Sequence, residues 1–279
     1  VADRVLHEAM RHAMFPGGKR LRPMLALLGA EVTGGDPERA LRPAAALELL
    51  HTYSLVHDDL PCMDDDDLRR GRPTCHKVYG EAMAVLAGDG LLTLAFELVA
   101  DGGAAAVIAL ARAAGSLGMV GGQAADMAAT GGGLDGDPAV ALESVRGIHD
   151  RKTGALITAS LEVGALAGAK DPSSLASVLP PLRAFGALVG RAFQVADDLL
   201  DETSTAEELG KQPGQDAAAE KLTYPAILGL GGTRAELSRL ADATLAAIPE
   251  LSVGTESHRL DPSKRLLQDL AQYSVNRRS

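Results

Sequence analysis

Aromatic residues and cysteine are scarce in this sequence. Its 279 residues include no Trp, four Phe, four Tyr and two Cys. Two cysteines, Cys62 and Cys75, are too few for a disulfide framework or a cysteine-type zinc site, which favours a reduced, cytoplasmic setting. The first fifteen residues carry charges and no apolar segment, and Arg112 interrupts the longest apolar run. Neither a signal peptide nor a membrane span is therefore expected.

Positive charge is also in short supply. Lys and Arg number 27 against 37 Asp and Glu, which gives a net charge of −10 and a pI near 5.2. This balance argues against a general nucleic-acid binder, so any anionic ligand must be held by local basic clusters or by bound metal. Hydrophobic residues make up 46% of the chain, enough for a sizeable core, which excludes disorder as the main state.

Apolar residues recur at helical spacing along most of the chain. The pattern predicts helices over 24–32, 44–56, 81–99, 104–120, 139–149, 153–168, 173–200, 222–230 and 234–248, with an apolar stripe over 5–13. Gly-rich polar segments at 130–137 and 203–220 are typical of loops, and alternating strand patterns are nearly absent. Without an internal repeat or a linker, the sequence predicts one all-α domain over residues 1–279.

The first candidate site is an acidic segment at the end of a predicted helix. Six carboxylates fall within ten positions: Asp58, Asp59 and Asp64–Asp67. Carboxylates this close repel one another unless cations lie among them, and hard oxygen ligands select Mg2+, Mn2+ or Ca2+ rather than zinc. A solvated acidic loop is the alternative, and it is the better explanation for an Asp run that stands alone.

A second acidic cluster weakens that alternative. Asp197 and Asp201 are four residues apart, hence on one face of a predicted helix, with Asp198 beside them. Their neighbours are apolar and no Lys or Arg lies within four residues on that face, which disfavours a helix stabilised by salt bridges. The two clusters lie about 140 positions apart, and we expect them to form facing walls of one metal site.

Basic side chains complete the pattern. They are Lys19, Arg22, Arg69, Arg70, Lys152, Lys211 and Lys221. Taken singly, each is an ordinary surface cation. Mg2+, however, usually bridges a few carboxylates to substrate phosphates, and basic groups near such carboxylates describe a polyphosphate pocket. No Gly-x-x-x-x-Gly-Lys-Ser/Thr motif occurs, so the pocket is not a P-loop.

These motifs, in this order, resemble the trans-isoprenyl diphosphate synthase family from about residue 15 to residue 230. The two acidic clusters resemble the family's two aspartate-rich motifs, which together are a highly specific signal. Further family blocks are matched at residues 17–23, 152–154, 194 and 221–225. The resemblance implies an all-α, single-domain bundle of helices around a deep central cavity, usually assembled as a homodimer.

The resemblance also implies how the acidic clusters are used. Three Mg2+ ions, with Mn2+ as the alternative ion, would be held by Asp58, Asp64 and Asp197 and would grip the diphosphate of an allylic substrate. Three basic residues would add positive charge at that diphosphate: Arg69, Lys152 and Lys211. This arrangement stabilises a departing diphosphate, which is Lewis-acid catalysis at a leaving group.

Isopentenyl diphosphate is expected to bind without metal, through Lys19, Arg22, His51 and Arg70. His51 lies seven residues, about two helical turns, before Asp58, so both can share a face; a lone His on a helix is otherwise more often structural. The double bond would attack the allylic carbocation, and loss of a proton to the leaving diphosphate would complete the condensation. The expected catalytic residues are Lys152, Thr153 and Gln194, the last two stabilising the cation.

Product length is expected to depend on the side chains about one turn before Asp58. Tyr53, with Ser54 beside it, would form the floor of the cavity. An aromatic residue there, with the two-residue insertion Pro61-Cys62, resembles bacterial farnesyl diphosphate synthases. The first expectation is therefore farnesyl diphosphate, made from dimethylallyl and then geranyl diphosphate. Geranylgeranyl synthases with that insertion tend to carry a smaller or non-aromatic residue; their product is the alternative, with Tyr53 then an ordinary core residue.

Two functions of other classes remain open. A class I terpene cyclase would also use an Asp-rich motif and Mg2+, but it would not need the isopentenyl diphosphate groups or a second Asp-Asp-x-x-Asp. A non-catalytic subunit or acidic interaction protein would usually have lost one aspartate motif, and both motifs are intact here. The sequence therefore favours the prenyltransferase over both.

Overall fold

The computed structural model describes residues 2–15, 17–130, 137–203 and 221–248, together with residue 269. Lys211 and most of the two loops expected at 130–137 and 203–220 lie outside these residues. The single domain over residues 1–279 stays a prediction.

Helices account for nearly all of the described chain. In chain order they are α1 (Ala2–Met14), α2 (Leu21–Val32), α3 (Leu41–Asp58), α4 (Cys75–Tyr79), α5 (Glu81–Val99), α6 (Gly103–Ala114), α7 (Met119–Ala129), α8 (Pro138–His149), α9 (Ala155–Gly168), α10 (Leu175–Thr203) and α11 (Tyr224–Ala247). A π-helical turn, Asp150–Gly154, joins α8 to α9, and short 3-10 turns lie at Pro37–Ala40, Ala100–Gly102 and Pro172–Ser174. The antiparallel hairpin of β1 (Leu68–Arg69) and β2 (Arg72–Pro73) follows the first acidic cluster. The predicted all-α class is confirmed.

Several helix boundaries differ from those predicted. The helix predicted over 104–120 is two helices, α6 and α7, because the backbone leaves helical geometry at Gly115 and Gly118. The two helices predicted over 222–230 and 234–248 correspond to α11, which consists of two helical segments on either side of a kink at Gly229, where φ is 67°. Apolar periodicity alone did not show the break between α6 and α7 or place the kink of α11 at Gly229, because both depend on the backbone freedom of glycine.

The central helix α3 packs on α5 through an apolar stripe. Leu47 and Leu50 on α3 and Ala87 and Leu91 on α5 belong to one hydrophobic cluster and are at most 1% exposed. Burying a leucine side chain of this kind stabilises the fold by roughly 1.5–3 kcal/mol. The packing therefore fixes the C-terminal end of α3, where Asp58 lies.

Helices α2 and α9 approach until their backbones are in contact. A methyl group added at Gly29 would overlap the carbonyl oxygen of Leu161, and one added at Gly164 would overlap that of Ala26. Any larger residue at either glycine would force the helices apart. The pair therefore sets the distance between α2, which carries Arg22, and α9, which follows the π-helical turn.

One apolar stretch bears on the expectation that no segment spans a membrane. The helical stretch Glu81–Ala129 contains an 18-residue window long and apolar enough to do so, and 22% of that window is buried. The test uses length and composition only, and core helices of soluble proteins also pass it. The stretch is therefore weak evidence for a span, and it leaves several apolar side chains exposed.

Candidate functional site

A cavity of about 360 Å3 opens between α3, α7 and the π-helical turn. It brings together seven of the predicted site residues: Arg22, His51, Tyr53, Ser54, Asp58, Lys152 and Thr153. Met119, Val120 and Met127 of α7 make part of its wall apolar. Of the predicted residues within the described ranges, six are not among those lining it: Lys19, Asp64, Arg69, Arg70, Gln194 and Asp197. The cavity thus combines charged and apolar walls, which suits an anion with an apolar tail.

Asp58 ends α3 at the wall of this cavity. The chain then turns back, so that the Asp64 backbone N–H donates to the Asp58 carbonyl oxygen over 2.9 Å. The pKa of the Asp58 carboxyl is raised to about 6, chiefly by burial; Lys152 and Arg69 oppose the rise, and the charges of Asp64 and Asp59 add to it. The cations of the protein do not fully offset this carboxylate, a condition that favours binding of a divalent cation.

Two other carboxylates of the first cluster are used inside the cluster itself. Asp59 is 3% exposed and accepts a 2.9 Å hydrogen bond from Arg69 Nε. A guanidinium nitrogen of the same arginine also lies 3.0 Å from Asp66 Oδ2. These contacts hold the turn between α3 and the hairpin in one shape, and they fix the position of Arg69.

In the second cluster, Asp198 joins three elements. Its Oδ2 accepts a 3.0 Å hydrogen bond from the Tyr224 backbone N–H at the start of α11. Its Oδ1 lies 3.4 Å from Gln194 Nε2 on α10 and 3.8 Å from His149 Nε2 at the end of α8. Asp198 and Asp201 are both buried, whereas Asp197 is half-buried. Asp198 therefore supports the arrangement of the helices around Gln194 and Asp197.

The segment before α11 connects the two acidic clusters. Lys221 Nζ lies 3.6 Å from Asp64 Oδ1 of the first cluster. Three residues further on, the Tyr224 N–H binds Asp198 of the second cluster. Residues about 140 positions apart in the sequence are thereby brought to one end of the bundle.

Sequence reasoning missed two polar residues on α7. Asp126 Oδ2 accepts a 2.6 Å hydrogen bond from Lys152 Nζ in the π-helical turn. Gln123 lines the cavity, and its buried amide nitrogen and oxygen make no hydrogen bond to any residue the structure describes. The available signal was their spacing, three residues apart and so on one face of an otherwise apolar helix.

The predicted isopentenyl diphosphate residues occupy a basic region near the start of α2. A guanidinium nitrogen of Arg70 donates to the Gly17 carbonyl oxygen, which ties the hairpin to the glycine-rich loop. Burial, and then the positive charges of Arg22 and Arg70, hold the pKa of His51 well below its usual range. Lys19 is exposed in the same loop. The field of the arginines therefore favours an anion beside a neutral His51.

The carboxylate oxygens of this site suit a Mg2+ ion shared with a substrate phosphate better than a Mg2+ ion enclosed by protein ligands alone. Among the described residues, no three His, Cys, Asp or Glu side chains come together as a protein-only site would require. Carboxylate oxygens are nevertheless the ligands that Mg2+ prefers, and Mg2+ commonly uses one or two of them together with substrate phosphates. The shifted pKa of Asp58 is consistent with such a partly compensated site.

Comparison with known proteins places the chain among related sequences. The polyprenyl synthetase family description matches residues 3–248. The chain is 47% identical over 252 residues to a chloroplastic geranylgeranyl pyrophosphate synthase of Capsicum annuum, covering 86% of this chain and 66% of the relative. It is 46% identical over 239 residues to the large subunit 1 of a heterodimeric geranylgeranyl pyrophosphate synthase of Arabidopsis thaliana, covering 82% and 62%. The chain thus spans slightly less than two thirds of the length of these relatives.

Solved structures share the fold. An FPP/GFPP synthase from Zymomonas mobilis is 38% identical, with a TM-score of 0.78, and the match covers 99% of this chain and 90% of that one. A geranyltransferase from Helicobacter pylori, solved with magnesium and isoprenyl diphosphate, is 34% identical, with a TM-score of 0.77 and coverage of 97% and 87%. Both similarities extend over essentially the whole bundle.

Proposed function

Because this chain belongs to the polyprenyl synthetase family, as its motifs indicated, we propose that it condenses isopentenyl diphosphate with allylic diphosphates to make geranylgeranyl diphosphate. The family and its relatives support the predicted class of enzyme, a trans-prenyltransferase. One observation carries the proposal: a single cavity is lined by Asp58 and Lys152, by Arg22 and His51, and by an apolar wall. These features match an allylic diphosphate, a second diphosphate and a growing hydrocarbon chain.

The chain's own residues would bind and orient the two substrates. Asp58, Asp64 and Asp197 would hold Mg2+, which when bound supplies Lewis-acid stabilisation to the departing diphosphate. Lys152 and Arg69 would add hydrogen bonds and charge to that same diphosphate. The number of ions is an expectation by resemblance, and magnesium itself is supported by the Helicobacter pylori structure.

Isopentenyl diphosphate would occupy the basic region near the start of α2, of which Arg22 and His51 line the cavity. Lys19, Arg22, His51 and Arg70 would bind its diphosphate without metal. Its double bond would then face the allylic carbon, because Arg22 and His51 line the same cavity as Asp58 and Lys152. Holding the two reactants in this way lowers the entropic part of the barrier.

The proposed reaction needs no reactant other than isopentenyl diphosphate and the allylic diphosphate. The allylic C–O bond breaks and its electron pair leaves with the diphosphate; the π electrons of isopentenyl diphosphate then form the new C–C bond. A proton lost from the adjacent carbon restores a double bond and goes to the released diphosphate. Thr153 and Gln194 would stabilise the cation through their dipoles. Since Gln194 Nε2 is directed at Asp198, the amide oxygen is the end left for the cation.

Farnesyl diphosphate is the second candidate product. Tyr53 is 7% exposed and lines the cavity five residues before Asp58, as a floor would. The curated relatives above are named geranylgeranyl synthases and are 47% and 46% identical, whereas the solved structure named an FPP/GFPP synthase is 38% identical. The twenty-carbon product predicted as the alternative is therefore the better supported of the two.

A product assay tests the proposal. The purified chain is incubated with labelled isopentenyl diphosphate, Mg2+ and dimethylallyl, geranyl or farnesyl diphosphate in separate reactions, and the dephosphorylated alcohols are sized. Extension of farnesyl diphosphate to twenty carbons is the expected result. A product that stops at fifteen carbons establishes the second candidate. A cyclised hydrocarbon made without isopentenyl diphosphate, or no product at all, overturns the proposal.

We propose that the chain assembles as a homodimer. A homodimer would cover the exposed apolar side chains of α5 and α6, among them Leu86 and Ile108, which are 52% and 50% exposed. The Arabidopsis thaliana relative is named as a subunit of a heterodimer, so light scattering of the purified chain decides: a monomer at all concentrations overturns the homodimer. The expected cytoplasmic location has no support from relatives named chloroplastic.

A further inference from the structure

We propose that His57 is a positioning residue for product length, because its ring braces Tyr53 against α5. The inference rests on the proposed prenyltransferase function and adds to it a unit of three residues: Tyr53 and His57, which both line the cavity, and Gly88, which has no side chain, on the neighbouring helix α5. Tyr53 lines the cavity, so its orientation limits the length of chain the cavity can hold, whether the product has fifteen or twenty carbons. The resemblance gave a product-length role to Tyr53 and Ser54 alone.

The first step is the contact between the two rings on α3. Tyr53 and His57 are four residues apart and therefore lie on one face, one above the other. Their ring centroids are 5.6 Å apart and their planes meet at 87°, an edge-to-face arrangement. Ring pairs in this arrangement attract each other, because the positive edge of one ring faces the negative face of the other. Both rings line the same cavity, so the orientation of one limits the orientation of the other.

The second step is the attachment of His57 to α5. His57 Nε2 lies 3.1 Å from the carbonyl oxygen of Val85. A carbonyl oxygen can only accept, so Nε2 carries the proton and donates. The imidazole is thus held on one side by a hydrogen bond to a backbone atom and on the other by the Tyr53 ring. A backbone carbonyl in a packed helix keeps its position when side chains change rotamer. The hydrogen bond to Val85 therefore anchors the His57 ring to α5.

The third step is the space that the ring occupies. A methyl group added at Gly88 would overlap the imidazole of His57. Gly88 lies within α5, where glycine is less favourable than alanine and so carries a cost in stability. The space left by the missing side chain offsets that cost. Only a residue without Cβ lets the His57 ring lie against α5 and reach the Val85 carbonyl oxygen.

Two substitutions should therefore change product length in opposite directions. His57→Ala removes the brace, so Tyr53 can turn away from the cavity and longer products follow. Gly88→Ala pushes the ring away from α5 and towards the cavity, so shorter products follow. We expect each to change the ratio of the longest product to the next shorter one by a factor on the order of ten, which corresponds to about 1.4 kcal/mol between competing barriers.

The experiment sizes the products of the full chain and its variants under identical conditions. Gly90→Ala is the matched control, since it adds the same methyl group two residues along α5, where its nearest neighbour is the flexible Met10 side chain at 3.1 Å. The double variant His57→Ala, Gly88→Ala should behave as His57→Ala alone, because the added methyl then has no ring to displace. In a Tyr53→Ala background, His57→Ala should produce no further lengthening.

The outcomes separate this inference from the proposed function. If the parent chain makes no prenyl product, the proposed function fails. If it makes one and His57→Ala or Gly88→Ala lowers only the rate, with an unchanged product ratio, His57 acts through neighbouring Asp58 or on stability, and the brace is wrong. Equal shifts from Gly88→Ala and Gly90→Ala would likewise overturn it, whereas opposed shifts from His57→Ala and Gly88→Ala support it.

Discussion

Lys152 Nζ lies 2.6 Å from Asp126 Oδ2, an ion pair that joins the π-helical turn to α7. The two side chains are 26% and 18% exposed, so the charges are only partly screened by water. π-helical turns within α-helices are frequent at functional sites, and this one places Lys152 and Thr153 on the cavity wall. Asp126 therefore fixes the position of a charge that the proposed reaction needs.

Removing the carboxylate should weaken the allylic subsite. In Asp126→Asn the lysine loses its ionic partner and its fixed position, so we expect kcat/KM for the allylic diphosphate to fall by about tenfold, which corresponds to about 1.4 kcal/mol. Steady-state kinetics with each substrate varied in turn measure this. Asp89→Asn, at an exposed position on α5, is the control. Unchanged allylic kinetics would show that Lys152 keeps its position without Asp126.

The aspartates assigned to magnesium give a stronger prediction. Asp58→Asn and Asp197→Asn should each lower turnover by more than about a hundredfold, since even residues behind a metal ligand typically cost 10–100-fold. Raising the Mg2+ concentration should recover part of the loss, because a weakened site is filled by mass action.

A matched control for this pair lies in the same acidic run. Asp67 is 73% exposed and is paired with Lys77, so Asp67→Asn changes the same charge at a position turned away from the cavity. It should retain most of the parent turnover. If all three variants are equally impaired, the effect is one of total charge, and the assignment of Asp58 and Asp197 is wrong.

The sequence predicted the features of the site that depend on local residue patterns, and it missed those that depend on tertiary contacts. The helix ending at Asp58 and the spacing of Asp197 and Asp201 are local, so apolar periodicity and residue type predicted them. Asp126 matters only because α7 packs against the π-helical turn. That contact is tertiary, and no local pattern around Lys152 showed a partner 26 residues away.

The isopentenyl diphosphate subsite is tested through Arg70. Its guanidinium binds the Gly17 carbonyl oxygen and adds to the field around His51. Arg70→Ala should raise KM for isopentenyl diphosphate by about tenfold, the effect of losing one charged hydrogen bond of about 1.5 kcal/mol, and should change the allylic KM much less. Arg72→Ala, exposed on the same hairpin, is the control. Equal weakening of both substrates would contradict the separate subsites.

The buried histidine at the end of α8 makes stability depend on pH. The His149 side chain is 11% exposed, its ring lies 5.7 Å from that of Tyr224, and its Nδ1 makes no hydrogen bond to the described residues. Burial lowers the pKa of His149 to about 4 from an ordinary value of 6.5; the charge of Lys152 acts in the same direction, and the carboxylates of Asp126 and Asp150 oppose it. The imidazole is therefore neutral in the folded state at neutral pH.

Acidification should for this reason destabilise the fold through His149. Between pH 6.5 and about 4 the unfolded chain binds a proton at this residue that the folded chain does not. The free energy of unfolding therefore decreases as the pH is lowered through that window, by about 3 kcal/mol in all. Urea denaturation at several pH values measures it. In His149→Gln this part of the slope should disappear, whereas His7→Gln, at an exposed position on α1, should keep it. A parent and a His149→Gln variant with parallel pH profiles would mean that His149 is accessible to protons in the folded state.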